Sequence, residues 1–238
     1  MAIIELELKV PQKLEAIKLR QYQEYLKIQK DNKDTEDNGN FLNSKCIQIF
    51  CGLTLKESYN LPVKMFDGVL NQIGTCFEEK TPLIKEFSMT GSNDVEVSFG
   101  MIPSLDEMTF GEYVDLENFI SDWDSMHKAM AVLYRPIKYN NNGKYLIEDY
   151  DGSDRYWEVM KDAPVNVSLG AMVFFYRLGK KLCKYTMDSL LLQQKQNQTS
   201  TSEKALERNG DGINQFMLSL EKTYQELVKS QKFHYTNV

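Results

Sequence analysis

The sequence predicts a mainly α-helical chain with small β-hairpins, which is an α+β fold. Several long segments repeat apolar residues at the spacing of one buried helix face. Two shorter segments, 83–102 and 137–150, each place a Gly-containing turn between stretches that suit β-strands. The 238 residues are enough for one large domain or two small ones.

The first part of the chain predicts one strand followed by three helices. Residues 3–10 alternate apolar and charged side chains from Ile4 onward, as a half-buried strand does, and Pro11 ends the strand. The next segment, 14–30, predicts a helix. Its expected buried side holds Leu14, Ile17, Tyr22, Tyr25 and Leu26. The polar segment 31–40 predicts a loop, and two further helices are expected over about 41–51 and 61–77.

The second part predicts two hairpins among helices. The first hairpin, 83–89 with 94–102, turns at residues 90–93, and the second, 137–150, turns at Asn142-Gly143. A helix from 110 or 113 to 134 should end before Pro136, because a residue that precedes proline disfavours helix. The remaining expectations are a short helix over 153–161 capped by Ser153, a core helix over 165–192, a polar loop over 193–212 and an amphipathic helix over 213–233.

The chain also contains an internal duplication. Residues 14–22 align without gaps on 105–113, and they share Leu, an acid, Ile or Met, Leu or Phe, Gln or Glu, and Tyr. Two further pairs follow in the same order, 45–50 with 128–133 and 62–70 with 164–172. We interpret this order as a strand-plus-three-helix unit used twice.

The duplication predicts the domain organisation. Residues 1–90 form a first helical repeat, and 91–192 form a second one that carries the inserted hairpin 137–150. Residues 193–238 then form a linker and a C-terminal interaction helix. The aligned Gly68 and Gly170 are expected where helices approach closely, because a missing Cβ permits contact.

Composition excludes several classes of protein. The formal net charge is -6, which argues against a protein held to DNA mainly by phosphate contacts. No run approaches about 18 apolar residues, so no membrane span is expected. The first residues lack the features of a signal peptide, which favours assembly inside a cell. The cysteines have apolar neighbours and no C-x-x-C spacing, so Cys46, Cys51, Cys76 and Cys183 are expected to be buried free thiols.

No motif of catalysis, cofactor binding or metal binding is present in the sequence. It contains no phosphate-binding glycine loop and no G-x-S-x-G elbow. His127 lies among apolar residues of a predicted helix, which favours a structural histidine, and His234 is expected to be exposed. We therefore assign no catalytic, cofactor-binding or metal-binding residues and expect no enzymatic activity.

Two acidic segments are candidates for a site. Residues 148–154 resemble a calcium loop only in part, because Asp154 replaces the required Gly and Met160 replaces the bidentate Glu. A turn followed by a helix cap explains this segment more simply. A second group surrounds the start of a predicted helix, where negative charge suits the helix dipole and a solvated, capping face is expected. Its members are Asp106, Glu107, Glu112, Asp115 and Glu117.

Two aromatic features leave alternatives open. Trp123, between Asp122 and Asp124 in a predicted helix, is either a core residue or an interface anchor. The segment 174–181 mixes aromatic and basic residues, as nucleic-acid surfaces do, but a core helix with a basic end is the favoured interpretation.

One stretch carries a resemblance. IPSLDEMTFGEYVDLENFISDWDSMHKAMAVLYRPI, residues 102–137, resembles a segment of small structural proteins of tailed bacteriophages, namely virion proteins of crAss-like phages that infect gut Bacteroidetes. Residues 144–150 and 164–176 are similar to later segments of those proteins, so the resemblance covers roughly residues 95–180. It implies a virion structural part and carries no catalytic motif.

The resemblance does not indicate which part of the particle the chain forms. Our first hypothesis is a head-to-tail connector, an adaptor ring at the neck that joins portal and tail. The expected partners are copies of the same chain, the portal, and neighbouring ring or tail proteins, with DNA only passing through the channel. The protein would be part of the virion and assembled in the bacterial host cytoplasm. The alternatives are a tail assembly chaperone and a protein packaged in the phage head.

Overall fold

The computed structural model describes residues 8–32, 39–90, 95–104, 108–142 and 144–177. Within these ranges the chain has the predicted α+β composition, mostly helical with one antiparallel sheet. A further helix, α8, begins at residue 165 and is described as far as residue 177. The other helices are α1 Leu19–Asp31, α2 Gly39–Cys51, α3 Leu55–Tyr59, α4 Val63–Phe77, α5 Phe110–Phe119, α6 Met126–Leu133 and α7 Trp157–Met160.

The sheet is a four-stranded antiparallel meander in the order β1-β2-β3-β4. Both predicted hairpins are confirmed, and the pairing of β2 with β3 joins them into one sheet. Asn142 has a φ of 52°, a left-handed conformation that suits the predicted Asn-Gly turn. The strands are β1 Glu86–Thr90, β2 Glu96–Met101, β3 Tyr134–Asn141 and β4 Lys144–Ile147.

One hydrophobic core occupies the centre of the described chain. It includes α6, where Ala129 to Leu133 are all buried, and the described part of α8. Consecutive burial along a helix means that neighbours cover it on every side, which explains why 165–177 is apolar almost throughout. The predicted core helix is thus confirmed over 165–177, whereas the rest of the predicted helix and both later segments, 193–212 and 213–233, lie outside the described residues.

The helix predicted from 110 to 134 is wrong, because two helices occupy this segment. Asp122 has extended backbone angles, and its side chain accepts a hydrogen bond from the backbone N–H of Asp124. A short carboxylate that binds nearby backbone in this way competes with continuation of the helix. A 3-10 helix, Trp123–Ser125, then leads into α6, and the chain turns into β3 at Tyr134. The extended backbone that Pro136 imposes on its predecessor favours this early switch.

The predicted strand 3–10 is not found over its described part. Residues 1–7 lie outside the described residues, and 8–10 belong to no strand, although Leu8 and Val10 pack against the core. An alternating pattern indicates only that one face is buried. An extended segment lying on helices satisfies the pattern as well as a sheet strand does.

The helix predicted over 14–30 is interrupted by a tertiary contact. A 3-10 helix, Leu14–Ala16, is followed by extended residues at Ile17 and Lys18, and α1 begins only at Leu19. The interruption lets the Ile17 carbonyl accept a hydrogen bond of 2.8 Å from the Val165 backbone N–H. Of the expected buried side, Leu26 is half-buried and the other members are buried. The predicted loop 31–40 lies mostly outside the described residues, and α2 agrees with its prediction.

Local capping explains two further differences. α3 is absent from the sequence prediction, although Thr54 and Glu57 form the reciprocal hydrogen bonds of a capping box at its start. The prediction that Ser153 caps the helix over 153–161 is wrong. Gly152, with a φ of 86°, precedes a 3-10 helix, and Ser153 lies inside it as a buried residue.

The aligned segments of the duplication begin their helices at aligned residues. α1 begins at Leu19 and α5 at its counterpart Phe110, while α4 and α8 each begin directly after the aligned Pro62 and Pro164. The backbone N–H at position 18 donates to the Gln21 side chain. At the aligned position Thr109, the backbone N–H donates to Glu112. These agreements support the duplication, which we retain as a proposal.

The expectation that helices approach closely at the aligned glycines is met at neither position, although Gly170 does have a close backbone neighbour. A Cβ placed on Gly170 would lie 2.2 Å from the Pro82 carbonyl oxygen, so a backbone segment does approach closely, although it belongs to a loop and not to a helix. At Gly68 nothing lies within 4 Å, and the residue is exposed. The close approach predicted for Gly68 is therefore wrong.

Candidate interaction surfaces

His127 is buried and is contacted by side chains of two other helices, α1 and α7. Its Nδ1 atom lies 3.1 Å from Nε2 of Gln23, and that nitrogen also donates to the Trp123 carbonyl at 2.6 Å. The imidazole packs on the Trp157 ring at a centroid distance of 5.4 Å. Burial, with a smaller contribution from Lys161 and Lys128, lowers the pKa of His127 to about 4. The side chain is therefore neutral near pH 7, an arrangement that fits a structural histidine.

The acidic group around α5 divides into a cap and a buried ion pair. Thr109 and Glu112 form a capping box, as the capping interpretation requires. Glu112 is not solvated, however, because its carboxylate pairs with the buried guanidinium of Arg135 on β3. Burial alone would raise the pKa of Glu112, but hydrogen bonds from Thr109 and Arg135 outweigh it and hold the pKa below its usual value.

The other described members of the acidic group around α5 do not take part in the cap or in the ion pair. Asp115 accepts a hydrogen bond from the Tyr150 hydroxyl, and Glu117 is half-buried on α5. Asp106 and Glu107 lie outside the described residues. The Tyr150 ring also faces the Arg135 guanidinium at 5.5 Å. The network therefore fastens α5, β3 and the segment after β4 to one another, which is a structural role.

Two carboxylates of the acidic segment 148–154, those of Glu148 and Asp149, have separate partners. Glu148 pairs with Arg155 at 3.2 Å and also accepts from the Tyr156 hydroxyl. Asp149 extends into solvent and pairs with Lys138 at 3.1 Å. Within the described ranges, no group of three or more His, Cys, Asp or Glu side chains is arranged to hold a metal ion.

Trp123 is a core residue, which decides between its two interpretations. It is buried and meets the Tyr22 ring edge-on at 5.2 Å. In the aromatic segment 174–181, Phe175 and Tyr176 are buried in α8, as the core-helix interpretation requires, while 178–181 lie outside the described residues.

The described cysteines agree with the sequence prediction. Cys46, Cys51 and Cys76 are free thiols in buried positions, and Cys183 lies outside the described residues. Burial raises the pKa of Cys51 to about 11, so this thiol stays protonated near neutral pH. A protonated, covered thiol is a poor nucleophile, which leaves these residues a packing role.

A shallow groove of about 350 Å³ crosses the outer face of the sheet. Its polar side chains form hydrogen bonds with one another. The Ser88 and Ser98 hydroxyls lie 2.9 Å apart, and the Asn140 amide donates to the Glu86 carboxylate at 2.9 Å. The two serine hydroxyls and the Glu86 carboxylate of the groove are thus engaged in hydrogen bonds with their neighbours.

Large apolar side chains are exposed on several of the described helices, and two groups of them are considered as candidate surfaces. One, which we call the α4 surface, consists of Tyr59, Val63 and Met65 around the start of α4. The other, the α5 surface, consists of Phe110 and Tyr113 on the first turn of α5. Sequence reasoning missed both, because it read Tyr113 and residues 62–70 only as helix-forming positions. Neighbouring exposed apolar side chains of this kind are candidates for sites of interaction.

Comparisons with known proteins identify no relative of the chain. No family model, no curated protein and no solved structure matches the chain. Among the described helices, none has the length and apolar character needed to cross a membrane.

Proposed function

We propose that the chain is a structural protein of a tailed bacteriophage particle, a head-to-tail connector ring at the neck that joins portal and tail. The resemblance over roughly residues 95–180 supports this proposal. In the structure this stretch supplies β2, α5, α6, the second hairpin and the start of α8, which together hold much of the core.

The observation that carries the ring is the presence of two different exposed apolar surfaces on one chain. A ring subunit meets each neighbour through a heterologous contact, so it needs two unlike surfaces that fit each other. The α4 surface and the α5 surface belong to separate elements and differ in composition. They satisfy this requirement for contact with two neighbours.

The charge of the chain suits a channel through which DNA passes. With a formal net charge of -6, the chain as a whole does not favour lasting attachment to the phosphate backbone. DNA would therefore be a passing molecule, and the lasting partners would be the portal, other ring or tail proteins, and copies of this chain.

Imaging of purified particles tests the proposal. We expect mass spectrometry to detect the chain in mature particles and electron microscopy to place it as a closed ring at the neck. Absence from particles together with binding to tail proteins would indicate an assembly chaperone instead. Density inside the head, without ring symmetry, would indicate a packaged protein.

A further inference from the structure

The two repeats contact each other within the chain through the starts of α1 and α8. The Val165 backbone N–H donates to the Ile17 carbonyl at 2.8 Å, and the Leu19 N–H donates to the Ala163 carbonyl at 2.9 Å. Lys18 and Pro164 form an antiparallel bridge between these bonds. The first N–H groups of a helix have no partner within it, so this contact satisfies such groups at two helix starts at once.

The counterparts of these helix starts are exposed. In the alignment, α1 corresponds to α5 and α8 corresponds to α4. Leu19 and Tyr22 are at most 2% exposed, whereas their counterparts Phe110 and Tyr113 are 81% and 50% exposed.

The second pair of helices shows the same contrast. Val165 and Val167 on α8 are at most 1% exposed, whereas their counterparts Val63 and Met65 on α4 are 77% and 51% exposed. The apolar character is kept at all four aligned positions although nothing in the described chain covers α4 and α5 there.

This contrast fixes the kind of symmetry between the repeats. If a two-fold axis related them, the contact of α1 with α8 would be accompanied by an equivalent contact of α5 with α4 in the same chain. Within the described chain only the first contact is made, so the repeats are related head to tail. A head-to-tail relation leaves one unused surface at each end of the pair, available to another copy.

We propose that the α5 surface of one chain docks on the α4 surface of a second copy, and that this contact repeats between chains the contact that α1 and α8 make within the chain. The inference rests on the proposed ring and names the surfaces that build it. By alignment, the Val63 N–H of one copy would donate to the Met108 carbonyl of the next, and the Phe110 N–H would donate to the Leu61 carbonyl.

The substitutions between the repeats suit a contact between chains. Within the chain, Arg20 pairs with Asp162 at 2.6 Å beside the bridge. Their aligned counterparts are Gly111 and Asn60, which carry no charge. Docking of α5 on α4 therefore buries no unpaired charge at these positions, and burial of large apolar side chains supplies the driving force.

Two variants test the inference, and in each of them glutamate substitutions block one of the two surfaces. Variant one carries Val63→Glu and Met65→Glu, and variant two carries Phe110→Glu and Tyr113→Glu. In sedimentation and native mass spectrometry we expect the unchanged chain to form large assemblies and each variant alone to be monomeric. The equimolar mixture should form a one-to-one dimer and nothing larger, because each dimer retains one intact pair of surfaces and two blocked ones.

A third variant, Tyr139→Glu with Leu146→Glu, is the matched control. Both residues are exposed apolar residues on the sheet, outside the proposed contact, and this variant should assemble like the unchanged chain. Circular dichroism and thermal unfolding should show that all variants keep the fold, because every substituted side chain is half or more exposed.

The outcomes separate this inference from the proposed function. If the unchanged chain and the blocked variants assemble equally well, the proposed ring is retained, but the assignment of its contacts to the α4 and α5 surfaces is wrong. If the variants behave as expected but the unchanged chain forms open filaments, the contact stands and the closed ring is wrong. A chain that stays monomeric at high concentration contradicts both.

Discussion

Gly170 and Gly68 hold aligned positions in the two repeats but have opposite surroundings. A Cβ at Gly170 would meet the Pro82 carbonyl at 2.2 Å, while Gly68 faces open space. Gly170→Ala should destabilise the fold by on the order of 1–3 kcal/mol, because backbone must move to admit a methyl group. Gly68→Ala should stabilise α4 by about 1 kcal/mol through helix propensity.

Urea unfolding of the two glycine variants measures this difference. Each variant is the other's control, since both replace a helical Gly by Ala in aligned segments. Equal changes in the free energy of unfolding would show that the packing of Pro82 on α8 does not limit residue 170.

His127 gives the chain a specific dependence of stability on pH. In the unfolded chain it titrates near pH 6.5, whereas burial holds the folded pKa at about 4. As the pH falls from 6.5 towards 4, His127 binds a proton in the unfolded chain but not in the folded chain. The free energy of unfolding therefore decreases. The loss reaches at most about 3 kcal/mol. Neighbouring charges that modulate it are Lys128, Lys161 and Glu158.

The variant His127→Gln removes this titration. The difference in unfolding free energy between the unchanged chain and the variant should therefore shrink as the pH falls over this interval, while other titrating groups cancel. A difference that stays constant would mean that His127 titrates normally in the folded state. Particle assembly should survive the substitution; its loss in a normally folded variant would assign His127 a further role.

At the scale of elements, the buried pair of Glu112 and Arg135 fastens α5 to β3. Arg135→Met should destabilise the fold by about 3–5 kcal/mol, because it leaves the Glu112 carboxylate buried without its cation. Adding Glu112→Gln should recover part of that loss. Chemical denaturation of both single variants and the double variant measures the coupling between the two side chains.

A matched surface pair is the control for that cycle. Lys138 and Asp149 are in contact at 3.1 Å but Asp149 is fully in solvent, so Lys138→Met should cost at most about 1 kcal/mol. If both pairs cost equally little, water reaches Glu112 and the pair does not fasten the two elements.

Elements whose boundaries are set by local chemistry could be predicted from the sequence. α2, α4 and both hairpins follow from periodicity, from Pro62 and from Asn142-Gly143. Boundaries set by long-range contacts could not. The break at Ile17 exists because its carbonyl binds Val165, and a linear pattern holds no information about that partner.

The candidate surfaces show the same limit. Phe110 aligns with Leu19, so the pattern predicts the same helix start for both. Whether the side chain at that position is buried depends on which helix lies opposite, and the described chain supplies an opposing helix for α1 alone. Similarity between the aligned segments thus predicts local structure but not solvent exposure.

At the scale of the whole molecule, we expect the proposed assembly through α4 and α5 to be separate from incorporation into a particle. Residues 193–238 contain a polar stretch followed by a segment whose apolar residues recur at helical spacing, Phe216, Leu220, Tyr224 and Leu227. A polar stretch of this length buries too little apolar area to offset its ordering, which costs about 1–2 kcal/mol per residue. We therefore expect 213–233 to pack on a neighbouring protein of the particle.

Deletion of 193–238 should spare the fold of the preceding residues and the head-to-tail association, because the core cluster and both apolar surfaces precede the deleted segment. It should abolish incorporation into particles, measured by mass spectrometry after complementation. Leu220→Glu with Tyr224→Glu should act like the deletion, since both side chains lie on the apolar face, while Lys222→Glu on the opposite side should not. If the deletion instead unfolds the chain in thermal scans, 213–233 belongs to the core of the monomer and its assignment to a neighbour is wrong.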